Sequence, residues 1–355
     1  MRDGFGREID YMRISVIDSC NLNCYYCNPC DNNEHCHALN ILSVKEVLCI
    51  VRAATRLGIK HFRLTGGEPL LHPQLDEMVL QIKKIPGVSS VSLTTNAVLL
   101  AQHAKWLKEA GIDSINVSLD TIDASEYERI TKKPLLEEVK HGINAAIECG
   151  IRVKINVVLT TQTDVVALTR YVAKKGTDIR FIEMMPVGEG HTNGVEPYKK
   201  VIGTLSKLYG EPCRINTEKT KEINSGNDKR KIPDNGPAEY YIFPELGIRV
   251  GLIQAIHGKF CATCNRIRVT ADGRLMPCLG SSVTMDLVPD SCEFTDDLEK
   301  DFVIVQALKA AIKAKPGCHN FNDNAVTYTK TTETKTTEIE AAEVNAARNM
   351  SRIGG

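Results

Sequence analysis

From residue 12 to about 186 the chain alternates short runs rich in Val, Ile and Leu with longer stretches whose apolar residues recur at i, i+3 and i+4. The short runs, MRISVI, HFRLTG, VSLTT, SINVSLD, RVKINVVL and IRFIEMM, have the length and composition of strands. The longer ones, such as SVKEVLCIVRAATRLG and LAQHAKWLKEAG, end on a glycine where a helix would stop. Strand, helix, strand, repeated about six times, predicts a parallel sheet with right-handed crossovers. The period fits a complete or partial barrel and an open doubly wound sheet equally well. In all of them chemistry belongs at the strand ends. The segment SCNLNCYYCNPC follows the first predicted strand, TGGEPL the second, TTN the third and SLD the fourth.

Beyond this region the pattern changes. EPCRINTEKTKEINSGNDKRKIPDNGPA, residues 211–238, is rich in charge, Gly and Pro and reads as a long loop or domain connection. A second unit starts with EYYIF and GIRVGLI, which sets expected domains at 1–225 and 226–355. Near the end, TYTKTTETKTTEIE reads as a solvated linker, and the final MSRIGG as a tail that either frays or docks.

Composition narrows the class. A chain of 355 residues, 43% hydrophobic, supports one large core or two unequal ones. With 44 basic and 44 acidic residues it has no net field to draw nucleic acid or an anionic membrane, so a polyanionic ligand needs a local cluster of cations. The first residues are charged throughout and no segment approaches a membrane span, which makes a cytoplasmic protein the expectation.

The thirteen cysteines are odd in number and clustered, a pattern that favours metal ligation over a disulfide framework. Cys20, Cys24 and Cys27 form C-x3-C-x2-C directly after a strand. Three thiolates can hold three irons of a [4Fe–4S] cube and leave the fourth open to a ligand. Zinc, with Cys30 or His35 as a fourth donor, is the competing reading. Cys261, Cys264 and Cys278, C-x2-C-x13-C, are a second three-thiol set, either a zinc ribbon short of one ligand or a second cluster. Between them, Arg266 and Arg268 share a face if extended and would suit an anionic ligand. Cys30, Cys36, His35 and His37 read as incidental, Cys49 and Cys149 as core, and Cys213, Cys292 and Cys318 show no interpretable spacing.

The C-x3-C-x2-C loop with Tyr26 before its last cysteine, followed by GGEP after the next strand, resembles the radical S-adenosylmethionine (SAM) enzymes. FGREIDYMRISV, RLTGGEPLL, SLDTID, RFIEMMPVG, GPAEYY, FCATCNRIRVTADGRLMPCL, KPGCHNF and MSRIGG, in order, resemble the MoaA family, the GTP 3′,8-cyclases of molybdenum cofactor biosynthesis. The resemblance implies a partial (β/α)6 radical SAM barrel with a C-terminal iron–sulfur domain. It assigns one [4Fe–4S] cluster to Cys20, Cys24 and Cys27 and a second to Cys261, Cys264 and Cys278. It places SAM against Tyr26, Gly66, Gly67, Glu68, Pro69, Ser118 and Met185. It places GTP against Arg13, Arg63, Thr94, Lys154, Arg266, Ile267 and Arg268, with Arg266 and Arg268 in the catalytic role and Gly354 and Gly355 reaching the site.

The chemistry so implied is reductive cleavage of SAM to a 5′-deoxyadenosyl radical, hydrogen removal from C3′ of GTP and attack on C8, giving 3′,8-cyclo-7,8-dihydro-GTP. The implied partners are a flavodoxin or ferredoxin as electron donor and pyranopterin phosphate synthase as recipient; a homodimer is an allowed assembly. The chain departs from the family pattern at Ser19, Asn28, His61, Ala97 and Met276. Those departures keep an alternative open, a MoaA-like paralogue acting on another nucleotide or on a peptide. A zinc-binding interaction protein is the third reading.

Overall fold

The computed structural model describes residues 1–27, 40–187, 195–215, 236–281, 283–287, 297–319 and 321. Six strands, β1 (Tyr11–Ser15), β2 (His61–Thr65), β3 (Ser90–Thr95), β4 (Ser114–Ser118), β5 (Val153–Leu159) and β6 (Asp178–Glu183), coincide with the six predicted runs. They pair in parallel in chain order, one beside the next. A doubly wound sheet reverses strand order at a switch point, whereas this order never reverses, so the sheet is the singly wound, curling kind of a partial barrel.

The crossovers are helical. They contain α1 (Val44–Arg56), α2 (Leu75–Lys83), α3 (Leu100–Glu109), α4 (Ala124–Thr131) with α5 (Leu136–Glu148), and α6 (Val165–Lys174). Local chemistry fixes their starts. Ser43 and Glu46 form a reciprocal capping box on α1, and Asp123 and Asp164 accept from the Glu126 and Ala167 amides to cap α4 and α6. A π-helical turn, Tyr198–Ile202, leads into α7 (Gly203–Tyr209).

The later strands extend the same sheet at both edges. On one side β9 (Arg249–Ile253) runs parallel to β6, followed by antiparallel β8 (Glu239–Ile242) and β7 (Cys213–Ile215). On the other, β10 (Arg266–Val269) runs parallel to β1, followed by antiparallel β11 (Arg274–Met276) and β12 (Met285–Asp286). Two elements differ from expectation. β7 lies at the start of the stretch read as loop; three residues are too few to show a period, and pairing with β8 creates the strand. Helix α8 (Asp297–Lys313) had no predicted counterpart. It packs between α1 and the β11–β12 edge, anchored by Arg56 Nη2 on Asp301 at 3.0 Å. Contact on two sides blurs a one-face stripe.

Along the strands, apolar and polar residues alternate with period two. Met12, Ile14, Phe62, Leu64, Val91, Leu93, Ile115, Val117, Ile155, Ile179 and Phe181 belong to one hydrophobic core cluster, shared with apolar residues of α1, α2, α3, α5, α6 and α8. The intervening positions are polar and form the other face of the sheet.

Candidate active site

That second face is unusual for a parallel sheet, whose strands are normally apolar on both sides. Register aligns Arg268, Arg13, Arg63, Ser92 and Ser114 across β10, β1, β2, β3 and β4. It aligns Thr94, Asn116, Lys154 and Asp178 one step on, and Ser118, Asn156, Arg180 and Gly251 one step further. The inner wall therefore carries Arg13, Arg63, Lys154, Arg180, Arg266 and Arg268. Lys154, Arg180 and Arg268 are only 5, 5 and 6% exposed.

Burial and crowding show in their ionisation. Burial first, then repulsion from Arg266, lowers Arg268 to about 10, and burial with repulsion from Arg268 lowers Arg13. Burial raises the Tyr11 phenol, but Arg63, Arg13 and Arg266 outweigh it and bring the group below its ordinary value; the Tyr11 hydroxyl accepts from Arg63 Nε. Arg63 Nη1 also donates to the Leu93 carbonyl at 3.2 Å. Arg180 Nε donates to Asn156 at 2.9 Å, while its Nη2 and Arg266 Nε are buried with no hydrogen-bond partner. Unmet buried guanidinium donors fit an anionic ligand. At Gly251 a Cβ would stand 2.8 Å from Arg180 Cγ and 2.9 Å from a Tyr240 ring carbon, so only glycine leaves room for both, and that tyrosine lies under Lys154 Nζ at 5.8 Å.

The two cysteine triplets lie at opposite ends of this wall. Cys20, Cys24 and Cys27 follow β1, whereas Cys261 and Cys264 precede the parallel β10 and Cys278 follows the antiparallel β11. Five residues of β1 separate the two ends by roughly 16 Å.

At the first end the GGEP segment closes on the cysteine loop. Gly67 N–H donates to the Ile17 carbonyl and Glu68 N–H to the Ser19 carbonyl, each at 2.7 Å. The Glu68 side chain, 1% exposed, accepts from the Leu70 amide at 3.0 Å and from Thr95 Oγ1 and the Asn96 amide at 2.7 Å. Glu68 thus ties the loops after β2 and β3 together. Tyr26 Oη donates to Asp120 at 2.5 Å, and Asp120 accepts from the Val158 amide at 2.7 Å. Burial lifts Glu68 to about 7 and Asp120 to about 6, against the hydrogen bonds that pull both down. Cys24, Tyr26, Asn96, Ser118 and Asp120 line one cavity at this end. Met185 is half-buried just past β6. Ala97, next to Asn96, has φ 65°, a left-handed conformation that favours glycine.

At the other end, buried side chains of distant segments bind the centre. Arg7 Nη1 donates to the Cys261 carbonyl at 2.7 Å and Nη2 to the Pro316 carbonyl at 2.7 Å, with Asp3 on Nε at 2.6 Å. Lys315 Nζ donates to the Arg266 carbonyl at 2.8 Å and the Pro277 carbonyl at 2.9 Å. Burial raises the Cys264 thiol, yet Lys315 and Arg266 outweigh it and bring it below its usual value.

The thiols fit clusters better than single ions. Ligands of one tetrahedral zinc stand about 3.3–3.8 Å apart. Among the described residues, neither triplet brings its sulfurs mutually within 4.8 Å. Burial pushes Cys20 up to about 11 and raises Cys24 further, so both need a bound cation to ionise.

Most predicted residues share the wall or its ends. Ile267 is the exception: its side chain is 1% exposed in the hydrophobic core, which leaves only its backbone for a ligand. Gly354, Gly355, Cys30, Cys36, His35, His37, Cys292 and Asn28 lie outside the described residues. Tyr11 and Arg180 were missed, although period two in YMRIS and DIRFIE already put them on the polar face. Arg7 and Lys315 lie in two motifs of the family resemblance, FGREIDYMRISV and KPGCHNF, but received no role there, because their partners are distant in the chain.

Residues 14–166 match the radical SAM superfamily model and 177–321 the molybdenum cofactor synthesis C-terminal model. A GTP 3′,8-cyclase of Clostridium perfringens is 36% identical over 90% of this chain and 95% of its own length. The chain belongs to the MoaA family of GTP 3′,8-cyclases. A GTP 3′,8-cyclase of Listeria monocytogenes is likewise 36% identical, over 90% of this chain and 92% of its own. In fold, the chain is similar to Streptococcus suis SuiB bound to S-adenosylmethionine, with TM-score 0.56 at 15% identity, over 85% of this chain and 66% of that one. Among the described residues, no helix is long and apolar enough to cross a membrane.

Proposed function

We propose that the chain converts GTP to 3′,8-cyclo-7,8-dihydro-GTP for molybdenum cofactor biosynthesis. One observation carries the reading: a wall of six cations, partly lacking hydrogen-bond partners, joins two three-thiol centres at opposite ends of the same strands. A triphosphate loses much hydration on entering such a site and needs cationic donors in return. Arg13, Arg63, Lys154, Arg266 and Arg268 would supply them, with Thr94 beside Arg63.

Cys20, Cys24 and Cys27 would hold one [4Fe–4S] cluster, and Cys261, Cys264 and Cys278 the other. With SAM bound, the first cluster would supply one-electron radical chemistry, and the second, held by three cysteines, would offer the guanine base a metal ligand position. The protein's own part is positioning. Gly66, Gly67 and Pro69 set the loop over the first centre, Glu68 fixes that loop to β3, Tyr26, Ser118 and Asp120 border the cavity that would take SAM, and Met185 follows β6. Holding base and phosphates at two rigid anchors presents C3′ and C8 of one substrate to each other.

In this reading the C-terminal part from 226, with its Gly354–Gly355 tail, completes the substrate site of the barrel at 1–225. A flavodoxin or ferredoxin reduces a cytoplasmic enzyme, and the product passes to pyranopterin phosphate synthase. The test is anaerobic: the iron-reconstituted, reduced protein is given SAM and GTP. The expected product has the mass of GTP and yields a fluorescent pterin on acid oxidation. Deoxyadenosine formation with GTP untouched would sink the reading in favour of a paralogue.

A further inference from the structure

One polar group in the cavity beside the first centre has nothing to bond to. The Tyr127 side chain is 3% exposed, and its hydroxyl is buried with no hydrogen-bond partner among the described residues. A buried phenol normally finds a partner, and leaving it without one costs free energy. Helix α4 sets its position. Tyr127, Ile130 and Thr131 share the buried face of that helix, and all three line the cavity together with Cys24. The Asn23 amide donates to the Thr131 carbonyl at 3.0 Å and the Tyr25 amide to the Ile130 carbonyl at 3.1 Å. Cys24 is therefore held between two bonds to the end of the helix that carries Tyr127. The Arg129 guanidinium, 5.8 Å from the centre of the Tyr25 ring, adds a third tie. The carboxylate in the cavity is already engaged, since Asp120 takes the Tyr26 hydroxyl on one oxygen and the Val158 amide on the other. Burial, then the charges of Cys24, Asp120 and Cys20, hold the Tyr127 phenol above its ordinary value, so it keeps its hydrogen.

We propose that, in the loaded enzyme, the Tyr127 hydroxyl donates a hydrogen bond to the Cys24 thiolate of the first centre and so sets how readily that centre takes up an electron. The inference deepens the proposed function and rests on its reading of Cys24 as a cluster ligand. A neutral thiol accepts weakly, whereas an iron-bound thiolate carries the charge that makes the bond a charge-assisted one. Hydrogen bonds to the sulfurs are among the levers that set a cluster's reduction potential. Reduction adds one electron and makes the sulfurs more negative, so a donor at one of them favours the reduced form and raises the potential. No covalent bond forms or breaks. Tyr127 acts through Cys24 and touches no substrate, which makes it a positioning residue.

The test compares the wild type with Tyr127→Phe, which removes one oxygen and keeps the ring. Both are reconstituted anaerobically as holoenzyme and titrated against potential, with the reduced clusters read by electron paramagnetic resonance. The signal that added SAM alters belongs to the first centre, and the other serves as a control in the same sample. The expected result is a lower potential at the first centre alone, about three- to tenfold in its reduction equilibrium, or roughly 30–60 mV for one electron. SAM affinity, measured at equilibrium, stays within about twofold. An unmoved potential would overturn the proposal, and SAM binding weakened by more than about tenfold beside it would give the hydroxyl to SAM instead. The iron-free chain supplies a second measurement. Removing an unpaired buried hydroxyl should leave its denaturant midpoint unchanged or raise it. A clear fall would mean that the hydroxyl already bonds within the protein, for instance to Asn23 Oδ1, likewise buried without a partner, and would overturn the proposal. A wild type that assembles no cluster on Cys20, Cys24 and Cys27 would strike the proposed function itself, a result distinct from a loaded wild type whose potential Tyr127→Phe leaves in place.

Discussion

A Cβ placed on Gly67 would stand 2.0 Å from the carbonyl oxygen of Ser19, the residue before Cys20. No side chain moves out of the way of a backbone oxygen, so the first cysteine loop and the GGEP segment can meet only through glycine. Gly67→Ala is therefore expected to push the Cys20 loop away and spoil the first centre while the second, at the far end of the strands, still assembles. After anaerobic reconstitution the variant should hold about half the wild-type iron. Full iron content would show that the loops tolerate separation.

Arg7 offers a test at the opposite end. Its guanidinium is buried with Asp3 and holds the carbonyls of Cys261, Pro316 and Gly317. Arg7→Met leaves the Asp3 carboxylate buried and unpaired, a loss of about 3–5 kcal/mol in a case of this kind. Arg7→Lys should not rescue it, because an ammonium cannot reproduce the planar fork. A denaturant midpoint unchanged from wild type would refute the clamp. The double variant Asp3→Asn, Arg7→Met should lose less than the two single losses added together.

The six barrel strands were legible because each is a short apolar run between turn signals, and the polar inner face was legible in principle because YMRIS, HFRLT and DIRFIE alternate. What could not be read was adjacency between distant segments. Nothing in the spacing of Cys318 relates it to Cys261, yet Arg7 and Lys315 fold the segment around it onto the second centre. Strand order likewise needs pairing: β10 joins β1 across most of the chain, so the C-terminal strands extend the barrel sheet instead of forming a sheet apart.

Glu68 should impose a pH dependence on stability. Burial raises its folded pKa to about 7 from 4.5. Between those values the folded chain binds more protons than the unfolded one, so stability falls as pH rises through this window. The full difference amounts to about 3 kcal/mol. Denaturant midpoints measured from pH 5 to 7.5 should decline for the wild type, and the decline should flatten in Glu68→Gln. A midpoint that rises with pH in the wild type, and whose rise Glu68→Gln abolishes, would mean that the three donors on Glu68 outweigh its burial.

Arg266 and Arg268 are the inner-wall cations on β10, the strand that follows Cys264, and Arg268 is paired in register with Arg13. Arg266→Ala and Arg268→Ala should each weaken GTP binding by about 10- to 100-fold, the worth of one or two charge-assisted hydrogen bonds. Iron content should not change, since neither side chain is a cluster ligand. Loss of iron with unchanged nucleotide affinity would place both residues in the scaffold of the centre.

His61 marks the departure nearest the cationic wall. Its register partner is Tyr11, its Nδ1 shares a hydrogen with Ser90 Oγ at 2.8 Å, and Arg63 follows on the same face two residues later. If position 61 faces the phosphates, His61→Lys adds a full charge at the edge of the wall and should tighten GTP binding by about 1 kcal/mol, roughly fivefold, with the gain shrinking as salt rises. The comparison that decides is GTP against guanosine, measured by equilibrium binding to the reconstituted enzyme at low and high ionic strength. A gain for GTP alone locates the triphosphate beside β2. An equal gain for guanosine, or none for either, would remove His61 from the phosphate grip and leave Arg13 and Arg63 to hold it.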